Sequence, residues 1–189
     1  PLLFFPLLIH LYDLYIPIYI LNFDLFYKAL NYSKILMKLP YTKNTILILS
    51  SIENDILGSR LARKTNITWC HIHHILKLLG DMKLISRSKE GRSRPIKILK
   101  KLSDIQPIIT SFLYKYKDCD ELFTESALKN ILFIGCGITL SKYLPFRSSA
   151  SILFTKGYIS KIKGKWEIEL TPKGLEVYKI YEQIKHIFN

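Results

Sequence analysis

The chain has 189 residues, enough for one or two small domains with real cores, and carries a net charge of +13 from 28 basic and 15 acidic side chains. Such a basic excess points to an anionic partner, nucleic acid or an anionic membrane surface. Three cysteines without CxxC spacing argue against a disulfide framework or zinc ribbon and suit a reducing cytoplasm; phosphate-cradling glycine motifs, HExxH and GxSxG are missing, so neither an enzyme nor a cofactor is indicated.

The charge is localised. Residues 1–36 are neutral overall, residues 37–117 carry 16 basic and 5 acidic side chains, and residues 118–189 carry 10 and 8. Three parts follow from this: a hydrophobic N-terminal segment (1–36), a basic first module with its connecting helix (37–117) and a nearly neutral second module (118–189).

Residues 1–27 are apolar and aromatic with no Lys or Arg. A transmembrane helix needs about 20 apolar residues, but His10, Asp13, Asp24, Pro6 and Pro17 interrupt the stretch. A central Asp alone costs about 2.5–3.5 kcal/mol on insertion, so a membrane partner is disfavoured. A signal peptide lacks its basic region and cleavage site. The chain begins with Pro, and Met37 opens a run that leads straight into the first module. Residues 1–36 are therefore expected to lie outside the native protein, to form a packed or dimer-forming helix, or to anchor a membrane-tethered regulator.

In the first module, the apolar pattern predicts a buried helix over Asn44–Ile52. A second, Ile56–Lys64, is expected with Asp55 as cap and Ile56, Leu57 and Leu61 in the core. Thr65-Asn66-Ile67 makes a tight turn. Thr68 then caps a long helix, Trp69–Met82. At 100° per residue, Ile72, Ile75, Leu76 and Leu79 share its inner side. Thr68, Cys70, His71, His73, His74 and Lys77 are the candidate reading residues, because a recognition helix meets base edges with its N-terminal part. Cys70 and the three histidines are metal-ligand types, but only i,i+3 and i,i+4 pairs converge and no further ligand is marked, so no metal is expected.

Leu84–Arg87 and Pro95–Leu99 read as two short strands joined by a basic hairpin that turns at Glu90-Gly91. Arg87, Lys89, Arg92 and Arg94 converge on this wing, where guanidinium groups suit phosphate or a narrow minor groove. Ser103–Lys117 is expected to be a connecting helix, capped by Ser103 or Asp104, with Pro107 in its first turn. It would pack under the first module or pair with a second copy.

From Glu121 the order repeats. Helices are expected over Leu122–Ile134, Ile138–Leu144 and Arg147–Thr155. A hairpin follows, with limbs Tyr158–Ile162 and Trp166–Leu170, and then a last helix opened by Thr171-Pro172. The equivalent face offers Arg147, Ser148, Ser149 and Ser151, and the hairpin offers Lys163 and Lys165. With so little net charge, this half is expected to pack, dimerise or assist. Tyr178, Ile180, Tyr181 and Ile184 suit a helix–helix contact. The fold class is mainly α with small β-hairpins (α+β), a tandem winged helix-turn-helix.

The run S-R-L-A-R-K-T-N-I-T-x6-I-L-K-L-L with G-R-S-R-P-I-K-I-L resembles archaeal winged-helix transcriptional regulators of the MarR-like superfamily. F-T-K-G-Y-I…W-E-I-E-L-T-P-K-G-L-E-V is similar to the ending of small archaeal winged-helix proteins. The resemblance spans about residues 40–189. It implies sequence-specific binding of double-stranded DNA, usually as a homodimer, through Thr68–Lys77 and Lys89–Arg94. Tandem modules depart from the usual arrangement of that family. The alternative is a protein-interaction module of a larger nucleoprotein complex.

Overall fold

A computed structural model describes residues 38–87, 94–139, 144 and 146–188. These belong to one compact unit, Leu36–Asn189, which is mainly helical with two small antiparallel hairpins. The N-terminal segment 1–36 lies outside the described residues.

The first half runs α1 (Lys43–Ser51), α2 (Gly58–Thr65), α3 (Trp69–Asp81), β1 (Ile85–Arg87), β2 (Ile96–Ile98) and α4 (Lys100–Lys115). Thr42 caps α1, its hydroxyl accepting from the Thr45 amide at 3.2 Å. Lys64 reaches back to the Ser51 carbonyl at the other end of α1 and pairs with Glu53. Asn66, in the left-handed region at φ 55°, stops α2 and sets up the turn into α3. Ile72, Ile75, Leu76 and Leu79 are fully buried, so the helical phase read from the sequence holds. β1 pairs with β2 in the register Ile85↔Ile98 to Arg87↔Ile96.

Several local expectations are corrected. Asp55 does not cap α2. It lies at φ 63° and donates its amide to the Ile96 carbonyl at 2.7 Å, while the Ile96 amide donates to Ile56 at 3.0 Å. Asp55 thus closes a turn, and the extended Ile56-Leu57 that follows runs beside the hairpin, with Ile56 bridged to Ile96. Strand alternation then turns Ile56 inward and leaves Leu57 exposed rather than in the core. Thr68 stands at the N-cap of α3 but makes no side-chain capping bond. Neither Ser103 nor Asp104 caps α4, which starts from Leu99, and Pro107 sits in mid-helix. Burial of Leu102 explains the earlier start, since it continues the inward face of Ile109 and Phe112. The expected helix Leu122–Ile134 is divided: a 3-10 turn (Asp120–Phe123) precedes α5 (Glu125–Gly135), with the Thr124 hydroxyl accepting from Ala127 at 3.2 Å.

The second half continues with α6 (Arg147–Thr155), β3 (Ile159–Lys161), β4 (Ile168–Leu170) and α7 (Pro172–Phe188). Residues 140–143, within the expected helix Ile138–Leu144, lie outside the described residues. The halves repeat individual hydrogen bonds. Leu84 donates to Leu79 at 2.9 Å and Tyr158 to Leu153 at 2.9 Å. Leu99 donates to Leu84 at 3.0 Å and Thr171 to Tyr158 at 3.1 Å. Ile168 bonds Thr139 at 2.7 Å, much as Ile96 bonds Asp55 and Ile56.

One continuous core joins the halves. α4 packs against both α1 and α7. Phe112 touches Tyr116, Phe123 and Tyr181, with ring centroids 5.2, 5.3 and 5.7 Å away. Tyr41 meets Tyr181 and Phe188 edge-on, and the Tyr181 hydroxyl donates to the Leu122 carbonyl at 2.6 Å. The helix–helix contact expected of Tyr178, Ile180, Tyr181 and Ile184 is therefore made within the chain.

Candidate nucleic-acid interface

With four apolar residues of α3 turned inward, the other side of the helix faces solvent. Thr68, Cys70, His73, His74 and Lys77 are all exposed and lie on that side. His71 differs. It is half-buried, and its Nε2 is enclosed without a hydrogen-bond partner, so it belongs to the flank of α3 rather than its outer face.

Trp69 is an addition to this surface. It is half exposed, its ring 5.9 Å from that of His73, and it rests over Gly58 at the start of α2. A tryptophan at the first position of α3 is visible in the sequence, but its contact with Gly58 is not.

α2 contributes a second group that sequence reasoning passed over. Arg60 and Arg63 are exposed and line, with Glu53, Ile56 and Lys64, an open concavity of about 650 Å³. Their i,i+3 spacing opposite the buried Leu61 is the signal that points to them. Lys64 is committed to Glu53, and its ammonium, with a smaller contribution from Arg60, holds the Glu53 carboxyl below the usual carboxylate range. Among the described residues Arg63 makes no ion pair.

Of the wing, Arg87 and Arg94 are described; Lys89 and Arg92 lie outside the described residues. Arg94 is exposed. Arg87 is half-buried, with Nε enclosed and without a hydrogen-bond partner, so its stem is part of the hairpin packing.

In the second half, Arg147, Ser148 and Ser151 are exposed on α6, while Ser149 is buried and leaves that face. Lys163 and Lys165 are exposed on the second hairpin. The Asn130 side chain donates to the Phe146 carbonyl at 2.8 Å, which fixes where α6 begins.

Among the described residues no group of His, Cys, Asp and Glu is placed to hold a metal ion, and no helix is long and apolar enough to cross a membrane. No family model matches the chain, and no curated protein matches it.

Proposed function

We propose that this protein is a cytoplasmic, sequence-specific double-stranded DNA-binding regulator built from two winged helix-turn-helix modules in tandem. α3 of the first module enters the major groove and presents Thr68, Cys70, His73 and His74 to base edges. Lys77, the α2 arginines and the basic hairpin (Arg87, Lys89, Arg92, Arg94) hold phosphate or the adjoining minor groove.

The observation that carries this reading is the division of α3. Ile72, Ile75, Leu76 and Leu79 are consumed by the core, so apart from the half-exposed Trp69 its outer face is made of hydrogen-bonding side chains. Folding gives no reason for that face to carry so many donors and so little acid in its first two turns. The concentration of excess charge in residues 37–117 supplies the long-range attraction that nucleic acid rewards.

The test is selection of bound duplexes from a random pool by the whole chain. Enrichment of one motif is expected. A pool that stays random, or no retention of duplex at low salt, overturns the proposal.

A further inference from the structure

The second hairpin carries a side chain that folding does not account for. Trp166 is 87% exposed, although an indole is among the largest apolar surfaces a protein can bury. It is not on a loose tip. Ile162 donates to the Glu167 carbonyl at 2.9 Å and Lys165 to Ile162 at 3.1 Å. Gly164, at φ +78°, makes the turn that this closure needs.

Two concavities meet at the hairpin. One, of about 270 Å³, lies beside Trp166, Lys165 and Glu167, and the other, of about 420 Å³, runs to Arg147, Ser151 and Phe154 of α6. Lys161 and Ile168 line both, so they form one groove. Its floor is apolar, with Ile168 and Ala150 buried, and the cations Arg147, Lys161 and Lys165 are exposed along it. The acid within it, Glu167, stands 4.0 Å from Lys165.

Flat apolar faces strung on an anionic thread would satisfy this combination. Paired bases are stacked inside a duplex and offer only their edges, so an indole has no face to cover there. An acidic peptide would satisfy the cations and leave Trp166 in water. We infer that the groove between α6 and the second hairpin binds a short stretch of unpaired nucleic acid, with Trp166 stacked on a base and Arg147, Lys161 and Lys165 on its phosphates. This site shares no residue with the α3 surface and does not depend on the duplex-binding proposal.

The chain has two tryptophans, so Trp69→Phe leaves Trp166 as the single indole. Its emission is followed at low salt against oligothymidylate, oligouridylate, a duplex of the same length and oligoglutamate. Saturable quenching by a single strand is expected, and its strength with the two sugars shows whether DNA or RNA is the ligand. Trp166→Ala should weaken single-strand binding, measured by anisotropy of a labelled strand, by roughly fivefold or more. Lys161→Ala with Lys165→Ala should lower the salt slope by about 0.7 per lost phosphate contact. No quenching by either single strand overturns the inference, as does equal quenching by the duplex or by oligoglutamate. Should Trp69→Phe fail to fold, as judged by circular dichroism, the quenching present in the native chain and lost in Trp166→Phe carries the same test.

Discussion

Trp69 lies across Gly58: a β-carbon on Gly58 would come within 2.5 Å of the indole ring. The first residue of α3 thus rests on the first residue of α2, and the exposed face of α3 begins at that contact. The ring is half exposed and able to swing outward. Gly58→Ala is therefore expected to change stability by less than about 1 kcal/mol, since the better helix former offsets the lost contact. It should nonetheless shift indole emission and weaken duplex binding.

Gly174→Ala makes the contrast. There the β-carbon would come within 1.9 Å of the Tyr158 carbonyl oxygen, and backbone has nowhere to swing. α7 would have to lift from the second hairpin, costing about 1–3 kcal/mol, as overpacking does. Urea unfolding measures both variants. A native midpoint for Gly174→Ala would show that α7 slides freely on the hairpin.

Much of this architecture is legible in the sequence wherever a pattern is local. The inward phase of Ile72, Ile75, Leu76 and Leu79, the bounds Arg147–Thr155 and the opening of α7 at Thr171-Pro172 all match the structure. What escapes depends on distant partners. Ile56 runs extended beside the hairpin because Ile96, forty positions on, offers its amide. Leu102 extends α4 because the core it enters is built by α1 and α7 as well. Arg60 and Arg63 are legible as a pair; the concavity they line is not, since Glu53 and Ile56 reach it only through the fold of residues 52–57.

The duplicated hairpins make a backbone prediction. Lys83 and Gly157 occupy the same place after α3 and α6, at φ 55° and 73°, each followed by a residue that bonds back into the helix. A side chain in this left-handed region costs about 1–2 kcal/mol, and the second half avoids that cost with glycine. Lys83→Gly should accordingly stabilise the protein, by up to about 1 kcal/mol once the entropy of glycine is set against the gain. Gly157→Ala should destabilise it. Thermal unfolding of the two variants should move in opposite directions, and a fall for both would refute the equivalence.

Duplex binding separates two kinds of residue on the candidate surface. Arg60→Ala with Arg63→Ala removes phosphate contacts, so affinity should fall for every sequence and the salt slope by about 0.9 per contact. His74→Ala should relax the preference at one base position at a cost of about 1–3 kcal/mol. Binding of the selected motif and of scrambled duplex, each at several salt concentrations, distinguishes them. If His74→Ala lowers both affinities equally, the histidine does not read bases.

Phe112 ties the halves together. It is almost fully buried on α4, with Phe123 and Tyr181 of the second half against its ring. Phe112→Ala should cost about 3–5 kcal/mol. More telling is the form of the transition. Because one core serves both halves, the emission of Trp69 and Trp166, read in single-tryptophan variants, should change at the same denaturant concentration. Two separated midpoints in the native chain would show that the halves fold independently.

The same aromatic core sets the behaviour in alkali. Burial is the main cause that raises the phenol pKa of Tyr41, Tyr158 and Tyr181, and it pushes Tyr116 to about 12 with help from the Glu176 carboxylate. In the unfolded chain these phenols would titrate near about 10. Below that pH both states keep their protons, and the preference for the neutral form is fully present. Above it the unfolded state sheds protons that the native state retains, so stability falls as pH rises toward the native values. The buried phenols should ionise together, in one steep step that coincides with the loss of helical circular dichroism. Phenolate absorbance that rises fully near pH 10 (about the unfolded value) while the helices persist would mean that water already reaches the Tyr41–Tyr181 cluster.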